Sequence, residues 1–131
     1  MKLLVDTHIM LILDTDPELI AKKVRGAIDE AEKRYFSSAS TWELAIKASS
    51  GKLRLPMQAG EYAQSRMRAM MFEPLAVTHA HAGRVEALPL LHKDPFDRLL
   101  IAQAQLEGLT LVTRDAFLAR YPGIRVLKAG A

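Results

Sequence analysis

Four acidic residues stand at corresponding places along this chain. Asp6 closes the apolar run Lys2–Val5, Glu43 follows the run Arg34–Ser37, and Asp115 follows Leu109–Val112. Asp97 opens the helical stretch that leads into that last run. Each acid also lies near a helix start, where the dipole favours a carboxylate and an acid satisfies free N–H groups. Singly, then, each reads as a cap. Together they read differently, because carboxylates converging within about 4–6 Å repel by roughly 3–4 kcal/mol per close pair at an effective dielectric of about 20. Such a cluster persists when a cation neutralises it or when some members are protonated. With no cysteine in the chain, the donors are oxygens, which suit a hard divalent ion, Mg²⁺ or Mn²⁺. An ion held this way polarises a phosphate oxygen, activates water and steadies the leaving oxygen, whether it acts alone or in a pair about 3.5–4 Å apart. The acids suffice for one or two ions.

The elements that must position these acids follow from the apolar spacing. Lys2–Val5 has strand length and Thr7–Leu13 reads as a short helix. Pro17 stands at the first position of a helix expected over Glu18–Lys33, with an apolar stripe through Leu19, Ile20, Val24, Ala27, Ile28 and Ala31. Arg34–Ser37 is a second strand. Ser40-Thr-Trp-Glu43 matches a capping box, opening a helix that ends near Ser49–Gly51. A helix over Gly60–Met71, a strand over Glu73–Val77 and a helix from Thr78 to about Ala87 follow. Asp94-Pro-Phe-Asp97 repeats the helix-start signature, and that helix stops at Gly108. Leu109–Val112 and Ile124–Leu127 supply the last strands. Strands alternating with helices predict an α/β domain with a parallel sheet, whose ligands bind at the carboxyl ends of the strands.

Length and composition bound the rest. With 131 residues, half of them hydrophobic and a quarter charged, one compact domain spanning residues 1–131 is expected. The longest apolar run, Ile9–Leu13, is far short of the roughly 20 residues that span a membrane. The start of the chain shows no signal peptide, since Met1-Lys2 runs through Leu3-Leu4-Val5 straight into Asp6. A cytoplasmic protein is the expectation. The net charge of +3 permits an anionic partner without requiring one.

At its acidic stretches the chain resembles the PIN-domain ribonucleases, and among them the VapC-like toxins of toxin–antitoxin pairs. The matching segments are LLVDTH (Leu3–His8), SASTWELAIKASSGKLRLP (Ser38–Pro56), DPFDRLLIAQAQLEGLTLVTRD (Asp94–Asp115) and IRVL (Ile124–Leu127). Isolated, each is weak; the ordered set covers essentially the whole chain. The resemblance places the family's metal-binding acids on Asp6, Glu43, Asp97 and Asp115. It puts the strand-end hydroxyl on Thr113, and Thr7 follows the first acid as in many relatives. Asp97 is taken as the third acid because it stands before Arg98-Leu-Leu-Ile-Ala102, leaving Asp94 as a cap or a supporting group. The resemblance further implies a five-stranded parallel sheet of order 3-2-1-4-5 with helices on both faces. It implies Mg²⁺- or Mn²⁺-dependent endoribonuclease activity, a homodimer, and inhibition by a cognate antitoxin. Two other readings stand beside it. A degenerate domain would only bind RNA or a protein; an aspartyl-phosphate phosphatase would need a second acid where His8 stands.

The remaining candidates each have a structural alternative. Lys47, four residues after Glu43, is either an ion-pair partner or a phosphate contact. Arg98 and Arg114 flank site acids and are candidate RNA contacts. His8 is expected to pack on the first helix, Trp42 to anchor in the core, and His92 to be a turn residue. Met57, Met67, Met70, Met71 and Phe72 form either a core-filling stripe or the surface that receives an antitoxin helix.

Overall fold

The computed structural model describes residues 1–130. Five strands, β1 (Lys2–Val5), β2 (Lys33–Ser37), β3 (Glu73–Leu75), β4 (Thr110–Thr113) and β5 (Arg125–Lys128), form one sheet of order β3-β2-β1-β4-β5. Every pairing is parallel, as the sequence predicted. The central strand explains why. Leu3, Leu4 and Val5 are all fully buried, which requires cover on both faces and therefore crossover helices.

The helices are α1 (Thr7–Thr15), α2 (Lys22–Glu30), α3 (Ser38–Ser49), α4 (Ala59–Met70), α5 (His79–Arg84) and α6 (Pro95–Glu107). Leu3 and Val5 join Ile9, Met10, Val24, Ile28, Leu44 and Tyr62 in the core under α1–α4. Leu4 points the other way, to Leu100, Ile101, Leu111, Leu118 and Tyr121. Among the described residues no helix is long and apolar enough to cross a membrane.

Two expected elements are corrected. The helix expected over Glu18–Lys33 is only α2, preceded by a 3₁₀ turn at Pro17–Leu19. Ile20 closes that turn on Pro17, and the Ala21 amide then donates to the Ala129 carbonyl at 3.0 Å, drawing the chain into an extended link beside β5. Lys33 leaves the helical stretch to pair with Lys2. The capping box at Ser40–Glu43 does not form. Ser37 caps α3 instead, its hydroxyl accepting from the Ala39 amide at 3.0 Å, so Ser40 and Glu43 lie inside the helix. Glu43 is thereby released from the backbone and meets Thr7 at the start of α1.

Candidate functional site

The carboxyl ends of β1 and β4 adjoin at the middle of the sheet, held together by the Asp6 amide donating to the Val112 carbonyl at 3.0 Å. Asp6 caps α1, with Oδ1 accepting from the Ile9 amide at 2.9 Å. Asp115 begins the 3₁₀ turn Ala116–Arg120 in the same manner, accepting from Phe117 at 2.9 Å. Its own amide donates to the buried Thr113 hydroxyl at 3.1 Å. Asp94 caps α6 by accepting from Phe96 and Asp97 at 2.8 and 3.2 Å, which directs the first turn of that helix, and with it Asp97, into the same edge. The capping role and the clustering role are thus both real: the caps aim the acids.

Asp6, Asp97 and Asp115 line one cleft of about 600 Å³. Asp94, Thr113, His8, His92 and Arg114 complete its walls. Burial is the largest influence on Asp6, raising its carboxyl above the usual range, and the nearby Glu43 charge adds to this. The Thr113 hydroxyl, the Ile9 amide and His8 act in the opposite sense. Burial likewise pushes Asp97 up to about 6, helped by the charges of Asp94 and Asp6 and opposed by His92. The acids therefore feel one another.

Glu43 lies behind this front rank. It is buried, its Oε1 accepting from the Thr7 hydroxyl at 2.6 Å and its Oε2 from Lys47 at 2.8 Å. The ion-pair alternative for Lys47 is the one that forms.

Several candidates move. Arg98 is no RNA contact: it is buried beneath α6, donating to the carbonyls of Pro89 and Val85 at 2.9 and 3.1 Å. Its helix places it three residues from the apolar Ile101, on the inward face. Arg114 is exposed at the mouth of the cleft. His8 is exposed on the cleft wall rather than packed on α1. Trp42 is 60% exposed, its ring edge-on to Phe96 with centroids 5.3 Å apart, and so is not a core anchor. The methionine stripe divides as well. Phe72 is buried, Met67 and Met70 pack partly against the core, and Met57 and Met71 are exposed. A docking surface made of all five is therefore excluded.

His92 is the residue that sequence reasoning missed. Its Nε2 lies 2.7 Å from Asp97 Oδ2 and 3.9 Å from Asp115 Oδ2. His92, Asp97 and Asp115 each present a donor atom within 4.8 Å of the others, a spacing compatible with a metal ion. The signal was its place just before the Asp94-Pro95 helix start, where the chain must turn back over the first turn of α6.

Comparison with known proteins bears on the family and the fold. The PIN domain profile matches residues 3–124. Ribonuclease VapC22 of Mycobacterium tuberculosis is 28% identical over 113 residues, which cover 86% of this chain and 85% of that protein. Ribonuclease VapC16 of the same organism is 43% identical over 68 residues, covering 52% of this chain; the match spans less than half of that relative, 44%. Among solved structures, VapBC2 from Rickettsia felis bound to a promoter DNA fragment superposes with a TM-score of 0.71 at 18% identity, covering 98% of this chain and 99% of that one. A toxin–antitoxin complex from Klebsiella pneumoniae superposes with a TM-score of 0.66 at 25% identity, covering 97% of each chain.

Proposed function

The chain belongs to the PIN-domain family, and we propose that within it this protein is a divalent-metal-dependent endoribonuclease serving as the toxin of a toxin–antitoxin pair. The observation that carries this reading is the convergence of Asp6, Asp97 and Asp115 on one cleft at the carboxyl edge of the sheet. The donors suit such an ion: the cluster is mostly carboxylate, and two members, Asp6 and Asp97, are pushed toward protonation by burial and by neighbouring acids. A divalent cation relieves that electrostatic deficit.

Asp6, Asp97 and Asp115 would hold the ion, with Glu43 reaching it through an exchange of its Lys47 partner. Bound there, the ion supplies Lewis acidity toward a phosphoryl oxygen and lowers the pKa of water. The chain's own groups do the rest. The Ile9 and Phe117 amides fix the Asp6 and Asp115 carboxylates, so that neither must reorganise on binding. Thr113 steadies Asp6 from below while accepting from the Asp115 amide. Arg114, exposed at the mouth, supplies a guanidinium with which to grip an RNA phosphate as it approaches an otherwise acidic cleft. Hydrolysis joins a water oxygen to phosphorus and releases one ribose oxygen, with a proton passing to it.

The toxin assignment draws on relatives named as VapC ribonucleases and on a solved toxin–antitoxin complex of the same fold. A cognate antitoxin and a homodimer belong to this reading. The groove between α3 and α4, lined by Ala45, Ala48, Leu53, Leu55 and Met57, suits an apolar helix face from that partner better than the full methionine stripe does.

The test is cleavage of RNA by the purified chain. Activity with Mn²⁺ or Mg²⁺ that disappears in chelator and in Asp115→Asn is the expected result. Undiminished cleavage in chelator, or none with either ion, overturns the enzymatic reading in favour of a binding module.

A further inference from the structure

We infer that His92 is a nitrogen ligand to the ion held by Asp97 and Asp115, and that it makes this site prefer Mn²⁺ to Mg²⁺. The inference rests on the metal reading above and goes beyond it in naming a ligand outside the four acids.

The geometry is the first support. Ions bonded at about 2.1 Å keep adjacent donor atoms roughly 3 Å apart and opposite ones roughly 4 Å apart. His92 Nε2 sits 2.7 Å from Asp97 Oδ2 and 3.9 Å from Asp115 Oδ2, and all the donor atoms of this trio fall within 4.8 Å. A small contraction or expansion about a common centre therefore brings the three donors onto one ion.

The second support is that the imidazole is built into place. Its side chain is only 27% exposed, and its ring leans on Phe117 with centroids 6.3 Å apart. The segment before it is pinned from inside by Arg98, whose guanidinium ties down the carbonyls of Val85, Leu88 and Pro89 and reaches the Tyr121 hydroxyl. The Leu91 amide closes a further turn on Pro89 at 2.9 Å. A buried arginine spent on four partners behind one surface histidine is a large structural investment in its position. The expectation that His92 is a turn residue is thereby replaced.

The chemistry is the third. Mg²⁺ takes oxygen and parts with its waters reluctantly, whereas an imidazole nitrogen favours transition ions. One nitrogen beside two carboxylates shifts the site toward Mn²⁺ while leaving Mg²⁺ able to bind.

The experiment titrates the chelator-stripped full chain with Mn²⁺ and, separately, Mg²⁺, reading thermal shifts and the pulsed EPR spectrum of bound Mn²⁺. Wild type should show the nitrogen coupling of a directly bonded imidazole and a clear preference for Mn²⁺. His92→Gln should still bind Mn²⁺, lose the nitrogen coupling, and lose roughly tenfold or more of its Mn²⁺ affinity, with Mg²⁺ affinity little changed. His8→Gln, a change on the same cleft, should keep both. Should His92→Gln fail to fold, His92→Asn and the wild-type spectrum decide. Bound Mn²⁺ without nitrogen coupling in the wild type, or coupling lost in His8→Gln instead, overturns the inference and leaves the metal reading standing. A protein that responds to neither ion overturns both.

Discussion

Lys47 and Glu43, one helical turn apart on α3, form an ion pair at 2.8 Å in which the acid is buried and the lysine remains partly in solvent. The pair keeps the Glu43 carboxylate at rest behind Asp6, Asp97 and Asp115 without adding its full charge to the cleft. Lys47→Met strands that charge, and because the lysine is partly exposed the cost is discounted to roughly 1–2 kcal/mol. Chemical denaturation in chelator should show it. Mn²⁺ should then stabilise the variant more than wild type, since Glu43 Oε2 is free to turn to the ion; an equal response in both would show that Glu43 is no ligand.

Asp6→Asn should behave oppositely. Asparagine still caps α1 through its oxygen, while the buried charge, disfavoured in the folded state, is gone. In chelator the melting temperature should rise, by roughly 3–6 °C for each 1 kcal/mol relieved in a domain of this size. The stabilisation that Mn²⁺ gives wild type through linkage should be largely lost. A destabilised variant and a wild type indifferent to millimolar Mn²⁺ would mean that Asp6 is a cap and nothing more.

Asp97 sets a pH dependence. Burial pushes its folded-state carboxyl up to about 6, above the ordinary 3.8 of an aspartate, so the folded state binds a proton that the unfolded chain has already released. The sign follows from linkage: its contribution to stability is fully present below about pH 4 and lost as pH rises through 6. In chelator, wild type minus Asp97→Asn should therefore fall between pH 4 and 6, by up to about 3 kcal/mol, while Mn²⁺ affinity should rise over the same interval as the ligand ionises. Urea midpoints measured at a series of pH values test the first part, and a difference that is flat with pH would refute it.

Met71 ends α4 in the left-handed conformation, with φ of 60° and 74% of its surface exposed. A side chain there costs about 1–2 kcal/mol that glycine does not, partly offset by glycine's greater freedom in the unfolded chain. Met71→Gly should raise stability by about 0.5–1 kcal/mol without touching cleavage. No gain in denaturant midpoint would mean that the methionine is held by contacts of its own.

Much of the architecture was legible because β1 is apolar on both faces, which only a covered parallel sheet satisfies, and because Asp94-Pro95 and Gly108 mark the ends of α6 so clearly. The acids were legible by the same token, each following a strand or opening a helix. What sequence could not resolve was decided by choices between equivalent partners. Ser37 and Ser40 are both competent caps, but α3 begins at Ser38, directly after β2, so the former caps it and Glu43 lies inside the helix. Arg98 and Arg114 both adjoin a site acid, but the helical phase of α6 turns the first inward and the loop after β4 leaves the second outside. His92 depended on the path of an irregular segment, for which periodicity gives no guide.

The pairing of β1 with β4 carries a consequence for synthesis. Asp6 leaves the ribosome well before Leu111 and Val112, yet its strand waits for them before its second edge is filled, and Asp115 comes later still. Long-range parallel pairing of this kind is slow and late to form. A nascent chain interrupted before Thr110 thus holds Asp6, Glu43 and Asp97 but neither β4 nor Asp115. The acidic edge is completed only when β4 and the turn after it are in place.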